Sequence, residues 1–234
     1  QRGYGLVSAR VETIIWDLDG TLLNSFEVHI DVMTQVLEKN GLPVLSPDEM
    51  ARHFHGKLTE TIKGHAPEGS SNELLAKMLA DFHEIDNVYM KDVDEHLFDD
   101  AVDFASSAHK RGIRQILVTN RAHGLDRGTA SPRNIVANSR LKEFIDLVIC
   151  GDDVEHHKPD PRVFADADLA LDSSTTLVIG DQFVDAQFAH NLGARAVIVR
   201  RDGSDIPHIE RLEAGAHQSY VSVKALADLD KVLL

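Results

Sequence analysis

Five short runs of apolar and β-branched residues, each bounded by turn signals, limit what this chain can fold into. They are Val11–Trp16, Gln115–Thr119, Leu147–Cys150, Thr176–Ile179 and Ala196–Val199. Runs of this length and composition predict strands. Helical patterns lie between most of them, at Ala101–Arg111, Pro132–Phe144, Pro161–Leu171 and Phe183–Leu192. Such alternation, with both sheet faces covered, predicts an α/β fold with a Rossmann-like parallel sheet. Helix-end chemistry agrees: Ser131 before Pro132 and Asp160 before Pro161 suit helix starts, and Gly193 suits a left-handed stop. A weaker strand candidate lies near Ser219–Val221.

The interval between the first run and the next core helix has a different pattern. It reads as helices at Phe26–Asn40, Pro47–Phe54, Leu58–His65 and Ser71–Tyr89, broken at Gly41-Leu42-Pro43, Gly56 and Pro67-Glu68-Gly69. About seventy residues is too long for an ordinary connection within a parallel sheet. The expected organisation is a core domain of residues 1–23 and 95–234, with a helical domain of residues 24–94 inserted into it. The linkers would be Asn24-Ser25 and Lys91–His96.

Composition narrows the partners. The 234 residues carry 24 basic and 38 acidic side chains, a net charge of −14. Nucleic acid and anionic membranes are therefore poor partners, and an anionic ligand would need local help from cations or backbone amides. No apolar run approaches the roughly 20 residues that span a bilayer, and the first ten residues hold no signal-type apolar stretch. A cytoplasmic location is the expectation. The single cysteine, Cys150, excludes an internal disulfide and follows an apolar run, so packing is its expected role. The 13 histidines include His53/His55 and His156/His157, but these lack an i, i+4 pair or a matching cysteine set, which argues against structural zinc.

The chemistry-bearing residues lie where the predicted strands end. Ligands of open α/β sheets bind at the carboxyl ends of strands, so clusters scattered in sequence converge there. The first strand ends in Asp17-Leu18-Asp19-Gly20-Thr21, the second in Thr119-Asn120. His157-Lys158-Pro159-Asp160-Pro161 follows the third, and Gly180-Asp181-Gln182-Phe183-Val184-Asp185 closes the fourth. Taken singly, each has a plainer meaning: a solvated loop, ordinary loop residues, a surface lysine. Together, paired carboxylates can divide attack from proton exchange. Asp17, Asp181 and Asp185 would form a hard oxygen cluster suited to Mg²⁺, whose charge would relieve their mutual repulsion.

The ordered set Asp-X-Asp-Gly-Thr, Thr-Asn, Lys-Pro and Gly-Asp-X-X-X-Asp, each after its own strand, resembles the haloacid dehalogenase-like hydrolase superfamily over essentially the whole chain. The helical insertion resembles its C1 α-helical cap, as in the phosphoglycolate phosphatase and β-phosphoglucomutase branch. The resemblance implies that Asp17 is a nucleophile forming a phosphoaspartate. It implies that Asp19 is the general acid/base and that its backbone carbonyl binds Mg²⁺. Thr119 and the Asn120 amide would hold the phosphoryl group, and Lys158 would stabilise its charge. Asp181 and Asp185 would complete the Mg²⁺ site. The dehalogenases of the superfamily lack the second aspartate, so Asp19 favours phosphate chemistry.

The expected activity is hydrolysis of a small phosphorylated metabolite by a monomer or homodimer, with specificity set by the cap. His29, Arg52, Lys57 and Arg121 are the specificity candidates, alongside His53, His55 and Lys63; the plainer reading of the cap residues is solvated charge at a helix end. Two alternatives stand beside hydrolysis: a phosphomutase, and a non-catalytic binding protein on the same scaffold. The intact acidic residues and Lys158 speak against the second.

Overall fold

The computed structural model describes residues 10–54, 58–201 and 220–229, without the side chains of residues 125–127 and 228. Six strands form one all-parallel sheet: β1 (Thr13–Trp16), β2 (Arg114–Val118), β3 (Leu147–Ile149), β4 (Thr176–Gly180), β5 (Arg195–Val199) and β6 (Tyr220–Val223). Their order is β3-β2-β1-β4-β5-β6. The chain works outward from β1 in one direction and then in the other, so the order reverses beside β1. That crevice is where open α/β sheets bind ligands.

Alternation along the strands divides the apolar core in two. Ile14, Trp16, Leu117, Leu177, Ile179 and Val197 belong to a core shared with the inserted helices. Ile15, Ile116, Val118, Val178 and Ile198 face the other way, onto Phe164 and Phe188. Successive strand side chains point to opposite faces, so a strand buried on both sides must be apolar throughout.

Four helices after β1 form the inserted layer: α1 (Ser25–Lys39), α2 (Pro47–Ala51), α3 (Leu58–His65) and α4 (Asn72–Tyr89). In α1, Val28, His29, Val32, Met33, Val36 and Leu37 are buried, a spacing that keeps one face of a 3.6-residue helix against its neighbours. Ser46 and Glu49 form a reciprocal capping box at α2, and Ser71 caps α4. The chain enters and leaves this layer through two adjacent segments. Asn24 N–H donates to the His96 carbonyl at 2.8 Å and Phe98 N–H to the Leu22 carbonyl at 2.9 Å, around an antiparallel bridge between Leu23 and Leu97. The architecture is thus a Rossmann-like parallel sheet with an inserted helical cap.

The remaining helices are α5 (Asp99–Lys110), α6 (Pro132–Ala137), α7 (Val163–Asp166) and α8 (Phe183–Leu192). Two are shorter than the sequence predicts. The helix expected over Pro132–Phe144 stops at Ala137 and resumes as a 3₁₀ turn over Arg140–Glu143, because Ser139 Oγ takes the Leu141 N–H. The helix expected over Pro161–Leu171 is the single turn α7. Asp160 does not cap it; its carboxylate accepts from the Arg162 N–H and guanidinium instead. The α2 helix likewise ends at Ala51, short of Phe54. Gly193 stops α8 in the left-handed region, φ 71°. The C-terminal strand candidate joins the sheet as β6, parallel to β5; Ser219 lies outside the described residues. Cys150 is buried, its thiol pushed up to about 12 by burial, as suits a packing role. No described helix is long and apolar enough to cross a membrane.

Candidate active site

The sequence clusters meet at the carboxyl ends of β1, β2 and β4. Asp17 directly follows β1, and its N–H continues the ladder to the Ile179 carbonyl at 2.8 Å. Thr119 follows β2 in the same way, its N–H bonded to the Ile149 carbonyl at 3.1 Å. Asp181 follows β4, and Asp185 lies in the first turn of α8. Close packing of carboxylates requires glycine at two points. A Cβ on Gly180 would lie 2.3 Å from the Asp185 carboxyl carbon. One on Gly20, which has φ +80°, would lie 2.3 Å from Asp181 Oδ2.

Lys158 is the electrostatic centre. Its Nζ donates to Asp17 Oδ1 at 2.5 Å and to Asp185 Oδ1 at 2.8 Å, and its side chain is only 3% exposed. Burial disfavours its charge, but Asp17 and Asp185 outweigh that and hold its pKa above the usual lysine value. Two hydrogen bonds fix the Lys158 backbone to the loop after β2: Asn120 Nδ2 donates to the Lys158 carbonyl at 3.0 Å, and Lys158 N–H donates to Asn120 Oδ1 at 2.9 Å. Asn120 therefore uses its side chain to join two loops. A cis Lys158–Pro159 peptide lies in this segment.

One lysine does not neutralise the carboxylates. An oxygen from each of Asp17, Asp181 and Asp185 lies within 4.8 Å of the others. Asp181 Oδ1 is buried with no hydrogen-bond partner. Burial, then Asp17, Asp185 and Asp19, raises the Asp181 carboxyl to about 8. Burial likewise raises Asp17, to about 7, against the pull of Lys158. An orphaned oxygen among crowded hard donors is what a bound Mg²⁺ would satisfy, so these residues fit the ion.

Asp19 stands at the edge of the cluster, its side chain 36% exposed, with Arg121 Nη1 3.2 Å from its Oδ1. Thr119 is buried, and its hydroxyl oxygen accepts from the Arg121 N–H at 3.0 Å.

The cap candidates are placed differently. His29 is buried among rings of the cap itself, 4.7 Å from Phe54, 5.2 Å from His65 and 5.6 Å from Phe82 between centroids. The structure does not bring it to the carboxylates. Arg52 is exposed and lines a cavity within the cap, beside Glu49, His53 and His65; none of the motif residues lines it. Lys57 and His55 lie outside the described residues. Two residues that sequence reasoning missed now stand out. Asp86 of α4 pairs with Arg121, and Gln115 of β2 holds the Trp16 indole beside the nucleophile candidate. A single acid in a helix carries no signal of a partner in a distant loop. A polar residue in an apolar strand run, such as Gln115, is a signal that could have been used.

The chain is 27% identical over 189 residues to the phosphoglycolate phosphatase of Cereibacter sphaeroides, covering 78% of this chain and 82% of the relative. It is 26% identical over 196 residues to the N-acetylmuramic acid 6-phosphate phosphatase of Pseudomonas putida, covering 82% and 83%. The crystal structure of CbbY from Rhodobacter sphaeroides in complex with phosphate superposes with a TM-score of 0.66 over 94% of this chain and 96% of that one. At 19% identity this likeness speaks for the fold alone. The profile of one family spans residues 14–199, from the first strand through the fifth: the chain belongs to the haloacid dehalogenase-like hydrolases.

Proposed function

We propose that this protein is a Mg²⁺-dependent phosphatase that hydrolyses a small phosphate monoester, of phosphoglycolate or sugar-phosphate type, through a phosphoaspartate on Asp17. The observation that carries this reading is Lys158 Nζ held between Asp17 and Asp185, beside the unpartnered Oδ1 of Asp181. The phosphatase names of the two sequence relatives support the substrate class. Residues 24–94 would form the cap domain, and the enzyme would act as a monomer or homodimer.

In the first step an Asp17 oxygen attacks phosphorus in line, the ester P–O bond breaks, and Asp19 gives its proton to the leaving oxygen. In the second, Asp19 takes a proton from water, the water oxygen attacks phosphorus, and the Asp17–phosphorus bond breaks to release phosphate. Thr119 and the Asn120 amide would hold the non-transferring oxygens, and Lys158 would offset their charge while orienting Asp17. Asp17, the Asp19 carbonyl, Asp181 and Asp185 would hold Mg²⁺, which supplies charge neutralisation when bound. Phosphoryl transfer depends mainly on such positioning and electrostatics, and two steps replace direct attack by water.

The test is phosphate release from a panel of phosphomonoesters and pyrophosphate, with and without Mg²⁺, for the parent and Asp17→Asn. Magnesium-dependent release should fall at least about a thousandfold in the variant, since no other group can form the intermediate. Release unaffected by the substitution would sink the proposal. Interconversion of sugar phosphates without net release would assign a mutase instead.

A further inference from the structure

The step assigned to Asp19 requires its carboxyl to face the reacting oxygens, and the structure ties this carboxyl to the cap. Arg121 places Nη1 3.2 Å from Asp19 Oδ1 and Nη2 3.6 Å from Asp86 Oδ2. Asp19 belongs to the first catalytic loop, and Asp86 to α4 of the cap. The Arg121 side chain is 17% exposed and that of Asp86 5%, so this is not a loose surface pair. A planar guanidinium can hold two carboxylates at fixed directions, which a lysine ammonium on its flexible stem does poorly.

Both ends of the bridge are anchored. The Arg121 N–H donates to Thr119 Oγ1 at 3.0 Å, and its carbonyl accepts from the Gly151 N–H at 3.0 Å. On the cap side, Asn87 is fastened to the core. Its carbonyl accepts from the Thr129 hydroxyl at 2.5 Å, and its Oδ1 accepts from the Ala130 N–H at 3.2 Å. Gly128 allows this docking, since a Cβ there would lie 2.7 Å from Asn87 Oδ1. Asp86 therefore meets Arg121 where α4 sits down on the core.

We infer that Arg121 is a positioning residue that couples the place of the cap to the aim of the acid/base carboxyl. Asp19 is held in its working direction only while Asp86 holds the other arm of the guanidinium. A cap that swings away withdraws Asp86 and leaves Arg121 free to turn, taking Asp19 with it. Chemistry is then confined to the docked arrangement, while binding of the phosphoryl group, assigned to other residues, is spared. The inference rests on the phosphatase reading and adds a residue pair, Arg121–Asp86, that need not touch substrate.

The test is steady-state kinetics of the intact protein with Mg²⁺ and the best ester of the panel. Arg121→Gln, Asp86→Asn, their double variant and Arg121→Lys are compared with the parent. Each single variant should lose about tenfold in kcat with KM within about twofold, because misaiming a reacting group costs rate rather than binding. The double variant should be no worse than about twofold below Arg121→Gln, because the two substitutions break one bridge. Arg121→Lys keeps the charge but cannot span both acids, so it should fall with the others. A raised KM at unchanged kcat would overturn the inference and make Arg121 a substrate contact. Multiplying losses in the double variant, or parent-like kcat in Arg121→Lys, would overturn it too. A parent with no magnesium-dependent release would remove the phosphatase reading and the coupling together.

Discussion

Asp181 and Asp17 are held in conflict with their surroundings, and the conflict has a sign that can be measured. Without a cation, burial and neighbouring acids raise Asp17 to about 7 and Asp181 to about 8. The folded protein therefore keeps protons that the unfolded chain gives up near 3.8. Stability from this source is fully present below about pH 4 and is lost as pH rises through about 7 to 8. A divalent cation held by these carboxylates would replace those protons. Melting temperatures in chelator and in Mg²⁺ should differ little at pH 5.5 and by several degrees at pH 8.5. An equal shift at both pH values would remove the three aspartates as the ion's ligands. These residues were legible in the sequence because they sit at strand ends, Asp17 after β1 and Asp181 and Asp185 after β4, and strand ends converge by topology. Arg121 was legible only as a neighbour of Thr119-Asn120. Its meeting with Asp86 depends on how α4 docks, which no local pattern encodes.

At the scale of elements, the cap is held by a buried ring cluster and by ion pairs along α1 and α4. Burial, then His65, depresses His29 to about 3. The unfolded chain takes a proton near 6.5 that the folded cap refuses. The stability contributed by neutral His29 is present above about pH 6.5 and is lost as pH falls towards 3. His29→Phe should flatten the fall in melting temperature between pH 6.5 and 4.5, followed by far-ultraviolet circular dichroism. A slope equal to the parent's would place the acid sensitivity elsewhere. Nearby, Asp81 is held at about 2: burial alone would raise it, but hydrogen bonds from Lys39, Lys77 and Asn40 prevail. Element by element, sequence reading was best where periodicity and end signals coincided. Leu58–His65 and Phe183–Leu192 stand as read from the sequence. It was poorest over Pro161–Leu171, where Asp160, just before Pro161, takes the Arg162 N–H into a local turn that competes with the helix.

Across the whole molecule, one side chain draws distant parts together at the base of the cap. Arg201, after β5, donates through Nη1 to Asp100 at 3.0 Å and through Nη2 to the Thr21 carbonyl at 3.3 Å. Its guanidinium lies 3.7 Å over the Phe98 ring, and Asp100 also accepts from the Leu226 N–H at 2.8 Å. The loop after β1 and the start of α5 thus meet at one cation, and Asp100 adds the C-terminal segment. Arg201→Gln should cost about 2 kcal/mol of stability, from the cation–π contact and a half-buried ion pair, read as a lower urea midpoint at unchanged slope. An unchanged midpoint would mean that the segments are held without it.

The chain's only tryptophan, Trp16, ends β1 one residue before Asp17, fully buried, with its indole N–H on Gln115 Oε1 at 2.9 Å and Phe104 edge-on at 6.0 Å. The cap contains no tryptophan. The indole is thus a built-in optical reporter of the sheet's interior. Its emission follows the ordering of the wall behind Asp17, where the sheet and the inserted helices share one core.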